Sequence, residues 1–202
     1  MRGCFMRSVL VGLMVLFCVT FPAPTHAAPC QPAELFATDD TDPLFEMQAD
    51  VTLALNGAPA MGSTPLDGVY WSKALHQITD ERSREFHLCG AEDSLRSAAE
   101  ALRRQFNQEA VLTFDYLPQH APEADAIIIA VPDVDVARFG HALAADPAAR
   151  DRIRGGSVTT TDHTLILVAG NDDRDIASRL VAEAGGNWNA ASIAYGRSEF
   201  VE

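Results

Sequence analysis

The order of apolar segments between residues 124 and 201 constrains the fold of this chain more than any other feature of its sequence. Two segments, DAIIIAV at 125–131 and TLILVA at 164–169, are almost continuously apolar and are typical of buried strands. The other predicted elements are a helix at 133–153 that breaks near Asp146-Pro147, a strand at 157–161, a helix at 172–184 and a strand at 188–195. Because this βαββαβ order is that of the ferredoxin-like fold, the sequence predicts a ferredoxin-like sandwich in residues 124–201.

The composition of the four strands predicts their places in that sheet. IIIAV and LILVA have the apolar composition of neighbouring central strands, which are buried on both faces. The threonine-rich strand at 157–161 and the mixed strand at 188–195 have the composition of exposed edges.

The N-terminal half is less regular. Its predicted elements are an extended arm at 28–43, a strand at 44–55, a loop at 58–68, a short strand at 84–89, a helix at 91–107 and a strand at 110–117. We therefore expect one globular α+β domain at 44–202, in which an N-terminal α/β extension packs on the same layer architecture as the ferredoxin-like unit.

The first 27 residues have the pattern of a secretory signal peptide. Arg2 and Arg7 precede an apolar run at 9–21, and small residues occupy the −3 and −1 positions of a cleavage site after Ala27. The sequence predicts a cleaved, soluble protein that begins at Ala28 and is periplasmic or secreted. The excess of arginine over lysine, 14 to 1, and the abundant alanine indicate a bacterial source.

The charge of the chain bears on its partners. Without residues 1–27 it carries 13 basic and 28 acidic residues, a formal net charge of −15. So negative a charge disfavours binding to nucleic acid and to anionic lipid, and no later segment predicts stable membrane insertion. A cationic protein partner, a small ligand of the cell envelope or a second copy of the chain in a homodimer is compatible with it.

Two cysteines, Cys30 and Cys89, follow the predicted signal peptide. Because exported proteins enter an oxidising environment, the sequence predicts one disulfide between these cysteines. It would close a loop of roughly sixty residues. The alternative is a nucleophilic thiol at Cys89.

Motifs of established chemistry are missing from the sequence, which therefore predicts no catalytic residues, no metal and no cofactor. A hydrolase or metal-dependent enzyme that uses Asp133 or Asp135 with a histidine such as His141 is the alternative. Asp133 is also expected to cap the following helix and Asp135 to lie in its first turn, where a carboxylate is favoured without any catalytic role.

The densest basic cluster predicts a ligand site. Arg150, Arg152 and Arg154 precede Gly155 and Gly156, and guanidinium groups beside exposed glycine N–H groups can bind an anion. The alternative is that these arginines offset the dipole at the end of a helix that glycine terminates. Taken together, the sequence predicts an exported bacterial protein of the cell envelope with a non-enzymatic binding or interaction role.

Overall fold

A computed structural model describes residues 30–39, 42–153 and 155–202. The predicted signal peptide and Arg154 lie outside the described residues. The strands in the described part are β1 (Pro32–Thr38), β2 (Ala60–Ser72), β3 (Gln77–Cys89), β4 (Val111–Tyr116), β5 (Ala126–Val131), β6 (Gly155–Thr159), β7 (Leu165–Gly170) and β8 (Ser192–Val201). The helices are α1 (Phe45–Leu55), α2 (Glu92–Gln105), α3 (Val136–Ala145), α4 (Pro147–Arg152) and α5 (Arg174–Glu183), with 3₁₀ turns at 171–173 and 188–190.

All eight strands form one closed antiparallel barrel in the order β1-β3-β2-β6-β7-β5-β8-β4. β5 pairs with β7 along its whole length, which confirms that IIIAV and LILVA are neighbours. Strands from the two halves of the chain meet at two seams, where β2 pairs with β6 and β4 pairs with β8.

The predicted ferredoxin-like sandwich with an N-terminal extension is therefore wrong. The four C-terminal strands do not end in exposed edges, because β6 and β8 each continue their hydrogen bonding into a strand of the N-terminal half. Closure leaves no free edge, and it turns the face that a sandwich would expose into the lining of the barrel. Threonines in β6 and small residues in β8 belong to these seams.

Each strand directs alternate side chains towards the helices and towards the interior of the barrel. There are two hydrophobic clusters on the helix side. One lies under α1 and α2 and includes Leu35, Phe86 and Val111. The other lies under α3 and α5 and includes Ile129 and Leu167. A third, smaller cluster of apolar side chains lies inside the barrel. The helices thus pack on the outer face of the barrel, and the inner face is only partly filled by apolar side chains.

The segment predicted as a strand at 44–55 is instead the helix α1. Phe45, Ala49 and Leu53 are buried at a spacing of four residues, whereas Met47 and Val51 are exposed. The apolar residues at every second position suggested a strand, but the buried positions follow the helical period.

The segment predicted as a loop at 58–68 belongs mainly to β2. Gly68 is required by close approach, because a Cβ atom there would lie 2.3 Å from Oγ of Ser157 on β6. Pro65 lies just before the pairing with β6 begins at Leu66, so its missing N–H interrupts no bond of that ladder. Glycine and proline here mark a barrel seam and not a loop.

The break between α3 and α4 is confirmed. Asp146 caps α4 by accepting hydrogen bonds from the backbone N–H groups of Ala148 and Ala149, and Pro147 takes the first helical position. The predicted cap of α3 is wrong by two residues: Asp135, not Asp133, accepts from the N–H of Arg138.

Candidate functional site in the barrel interior

The interior of the barrel is polar on the side of the N-terminal half. Glu34 and Phe36 on β1 share a face, as do Ser83, Glu85 and His87 on β3. The register pairs Glu34 with His87 across β1 and β3, and Thr64 with Glu85 across β2 and β3. Strand pairing thus gathers acidic, imidazole and hydroxyl groups in one part of the interior.

Glu34 lies at the centre of a hydrogen-bonded group. Its Oε2 is 2.7 Å from Nδ1 of His87, and its Oε1 accepts a hydrogen bond of 2.9 Å from the hydroxyl of Tyr116. The second imidazole nitrogen, Nε2 of His87, lies 3.1 Å from the hydroxyl of Thr64. Both oxygens of Glu34 and both nitrogens of His87 are therefore engaged within the barrel.

Glu85 completes a set of three metal-ligating side chains. One donor atom each of Glu34, Glu85 and His87 lies within 4.8 Å of the others. Glu34 and Glu85 are buried, with exposures of 8% and 6%, whereas the side chain of His87 is 43% exposed and faces the solvent. This is the only group of three such side chains found among the residues that the structure describes.

The electrostatics of this group follow from burial and from the two close carboxylates. Burial raises the pKa of Glu85 to about 7, the neighbouring Glu34 acts in the same direction, and His87 opposes them. The hydrogen bond to Glu34 raises the pKa of His87. Burial, together with Glu34, raises the pKa of the Tyr116 hydroxyl, which stays protonated and donates its hydrogen bond.

A cavity of about 260 Å³ adjoins this group. Phe36 and Ser83, which lie two residues from Glu34 and Glu85 on the same strands, form part of its wall. Its apolar lining includes Leu112, Ile166, Val168 and Phe200, and its polar lining includes Thr38, Glu81, Ser157 and Ser198.

Glu81 is the acidic group of the cavity wall. Its carboxylate accepts a hydrogen bond of 2.9 Å from the hydroxyl of Thr38, and burial raises its pKa. Among the described residues no cation forms an ion pair with it. The cavity therefore combines apolar side chains with polar ones, among them the carboxylate of Glu81.

The predicted basic cluster lies at the mouth of this cavity. Arg152, Gly155 and Gly156 are lining residues, and Arg150 lies in the adjoining outer space. The guanidinium of Arg152 forms an ion pair of 2.8 Å with Asp173, and that of Arg150 stacks over Trp71 at 4.4 Å. Anion binding by these arginines stays a prediction.

The two glycines of that cluster are explained by close packing at the seam. A Cβ atom on Gly155 would lie 2.5 Å from the carbonyl oxygen of Val69, and one on Gly156 would lie 2.8 Å from the ring of Phe139. Both residues pair with β2. They begin a strand and do not form a glycine-rich loop.

Asp133, Asp135 and His141, the residues of the alternative enzyme hypothesis, are all exposed. Asp135 is the cap of α3, and none of them belongs to the three-residue group found in the described part of the chain.

Cys30 lies two residues before β1 and Cys89 is the last residue of β3, and their Cα atoms are 5.3 Å apart. The structure joins them as a disulfide, so this pair can cross-link two adjacent strands close to Glu34 and His87.

Sequence reasoning missed the Glu34–Glu85–His87 group. Glu85 and His87 alternate with Phe86 and Leu88 in REFHLC, so the strand pattern predicts only that they lie on the face opposite these apolar residues. Glu34 lies in the segment taken as an extended arm. Two charged side chains alternating with fully apolar ones were the available signal, but only closure of the barrel makes their face an interior one.

No helix in the described residues has both the length and the apolar character needed to cross a membrane.

No family model and no curated protein matches this chain. Three solved structures are similar to it: a monooxygenase candidate from Lactobacillus acidophilus (14% identity, 84% of this chain and 95% of that chain, TM-score 0.28), an anthrone oxidase-like protein (12%, 87% and 94%, 0.24) and a candidate glycine cleavage system transcriptional repressor (12%, 86% and 98%, 0.29). Similarities at these TM-scores show neither a shared fold nor a shared function.

Proposed function

We propose that this chain is an exported bacterial binding protein, without enzymatic activity, that holds a small ligand inside its barrel. The observation that carries this proposal is the cavity of about 260 Å³, which is lined by residues of β1, β2, β3, β4, β6, β7 and β8. A concave, mostly apolar space with a few polar groups is the usual form of a small-molecule site, and this volume lies near the lower end of such sites.

The lining indicates the class of ligand. Phe36, Leu112 and Val168 favour an apolar body, and Glu81 favours a hydrogen-bond donor or a cationic group. A small amphiphilic amine has both features. Export through the predicted signal peptide, with cleavage before Ala28, fits the Cys30–Cys89 pair, because a disulfide persists in an oxidising compartment. Docking of a cationic protein, or of a second copy of the chain, stays a prediction.

Phenethylamine and 2-phenylethanol are suitable probes, because they share an aromatic body and differ in charge. We expect phenethylamine to bind with a dissociation constant on the order of 0.1–1 mM, as is usual for so small a ligand. The measurement is a chemical-shift titration that follows the methyl groups of Ile166 and Val168. Glu81→Gln should weaken phenethylamine by about tenfold and change 2-phenylethanol by less than about twofold.

Val168→Phe fills the cavity and should abolish binding of both probes. The matched control is Val51→Phe, the same substitution on the exposed face of α1, and it should leave binding unchanged. If neither probe shifts the two methyl groups, or if Val168→Phe binds as the unaltered chain does, the cavity is not a ligand site and the proposal fails. The predicted export is checked by the intact mass of the exported protein. A mature chain that begins far from Ala28 contradicts the predicted cleavage.

A further inference from the structure

The group formed by Glu34, Glu85 and His87 has a composition that neither the fold nor the small-ligand cavity requires. Two carboxylates and one imidazole meet inside the barrel, with their donor atoms within 4.8 Å of one another. When both carboxylates are ionised, they exceed the charge of a protonated His87 by one. This excess is expensive in a partly dry interior unless a proton on Glu85 or a bound cation offsets it.

Glu85 is the member of the group whose carboxylate has no hydrogen bond among the described residues, and His87 is its neighbour of opposite charge. Glu85 is 6% exposed, and in the part of the chain that the structure describes its carboxylate makes no hydrogen bond and no ion pair. Buried carboxylates are normally hydrogen-bonded, paired with a cation or bound to a metal. Its oxygen nevertheless lies within 4.8 Å of the donor atoms of Glu34 and His87, so it is directed at the centre of the group.

The other two members are held by outer hydrogen bonds in the manner of metal ligands. Nε2 of His87 lies 3.1 Å from the Thr64 hydroxyl, which leaves Nδ1 directed at Glu34. The Tyr116 hydroxyl donates to Oε1 of Glu34 and leaves Oε2 directed at His87. Partners of this kind fix the tautomer and the orientation of a ligating histidine and a ligating carboxylate.

We propose that Glu34, Glu85 and His87 bind one divalent transition-metal ion, of the class of Zn²⁺ or Co²⁺, in the barrel interior. An imidazole nitrogen with two carboxylate oxygens suits these ions, whereas Ca²⁺ and Mg²⁺ prefer oxygen ligands alone. Zn²⁺ holds its ligands at about 2.0–2.2 Å, so the donor atoms of a tetrahedral site are about 3.4 Å apart. Nδ1 of His87 and Oε2 of Glu34, which are 2.7 Å apart, must separate slightly. The half-exposed His87 gives the ion access from solvent.

The test is isothermal titration of the untagged, chelator-treated protein with Zn²⁺, Ca²⁺ and Mg²⁺. We expect one equivalent of Zn²⁺, bound at least about tenfold more tightly than Ca²⁺ or Mg²⁺. Glu85→Gln and His87→Gln should each weaken Zn²⁺ by at least about 100-fold, because they remove a ligand. Thr64→Val removes an outer hydrogen bond and should cost about 10- to 100-fold.

His141→Gln and Glu123→Gln are the matched controls, since both residues are exposed and lie outside the group. They should bind Zn²⁺ as the unaltered chain does. The proposal is overturned if Zn²⁺ produces no saturable heat, if Ca²⁺ binds as tightly, or if the one equivalent survives both Glu85→Gln and His87→Gln.

A measurement that needs no variant guards against a substitution that disturbs folding. In the unaltered chain, Zn²⁺ should shift the imidazole resonances of His87 and leave those of His141 in place, and Co²⁺ should broaden the former alone. Shifts at His141 without shifts at His87 contradict the site. The Glu81 and Val168 variants of the cavity should bind Zn²⁺ normally, so failure of the metal site and failure of the ligand cavity are separately observed.

Discussion

The two halves of the barrel have the same order of elements but contribute different chemistry to its interior. β1 to β4 are arranged as β4-β1-β3-β2, and β5 to β8 follow the same pattern as β8-β5-β7-β6. The inward residues of the C-terminal half are apolar or small, as in Ala126, Ile128, Val168 and Ala194. The N-terminal half places two of its buried carboxylates, Glu34 and Glu85, and the imidazole of His87 on its inward face.

This difference shows that the architecture does not need the polar group. The C-terminal half demonstrates that four strands in this order fold with an ordinary apolar lining, and buried charges are retained at a cost to stability. Places where a sequence departs from such local rules are expected to be functional sites. The contrast between the halves therefore supports the proposed metal site independently of its geometry.

The disulfide provides the largest expected effect. It joins Cys30, two residues before β1, to Cys89 at the end of β3, across 59 residues of sequence, whereas β5 and β7 are held by backbone pairing and apolar side chains without a disulfide. Replacing both cysteines by serine should lower the free energy of unfolding by about 4 kcal/mol in the chain-entropy model.

Urea denaturation of the oxidised protein and of the Cys30→Ser/Cys89→Ser variant measures this loss, and intact mass with and without reductant verifies the bond. Because strands of both halves share one barrel, each protein should unfold in a single transition. Two separate transitions would mean that the halves are not coupled as described. A loss below about 1 kcal/mol would contradict the expected contribution of the disulfide.

The parts of the fold that could be predicted were those with an unambiguous local signal. Long apolar runs predicted the pairing of β5 with β7, an apolar stripe at helical spacing predicted α2, and the Asp-Pro cap predicted the break before Pro147. Each of these signals lies within a short stretch of sequence. Closure of the barrel rests on the seams β2–β6 and β4–β8, which join residues far apart in the sequence. No local pattern specifies such a pairing.

The candidate site was missed for the same reason. The face of β3 that carries Glu85 and His87 is a solvent face in an open sandwich and an interior face in a closed barrel, and the sequence of β3 is compatible with both. Glu34 and Tyr116 reach the site from strands that are 82 residues apart. The only indication in the sequence is the segment REFHLC, in which polar and apolar residues alternate.

The pH dependence of stability is the second expected effect, and it isolates the polar interior. Burial raises the pKa of Glu85 to about 7 in the folded chain, from an ordinary value of 4.5. The folded state therefore holds this proton more tightly than the unfolded state. Its contribution to stability is present below pH 4.5 and is lost as the pH rises towards and through 7. Glu85→Gln has no such proton to lose.

The free energy of unfolding of Glu85→Gln should thus rise relative to that of the unaltered chain between pH 4.5 and pH 7.5. The expected gain is on the order of 1–3 kcal/mol. This gain is measured by urea denaturation at a series of pH values. EDTA is present so that no metal contributes. The control is the same substitution at exposed Glu123, for which the difference in free energy of unfolding from the unaltered chain should not change across this pH range. If that difference does not change with pH for Glu85→Gln either, the carboxyl of Glu85 is not buried as described.

The smallest expected effect concerns the helices, of which α3 and α4 have a side-chain cap and α1, α2 and α5 have none. α3 and α4 are capped by Asp135 and Asp146, whereas α2 begins after Ala91, which has no side chain to cap it. The backbone of Ala91 already has the extended conformation of a cap residue, with φ −80° and ψ 156°. Ala91→Ser should therefore accept a hydrogen bond from the first turn and raise the free energy of unfolding by about 0.5–1 kcal/mol, measured by urea melts. Ala101→Ser, the same change inside α2, should instead be neutral or slightly destabilising, because serine disfavours helix interiors. If both changes have the same sign and size, the missing cap at Ala91 does not limit the stability of α2.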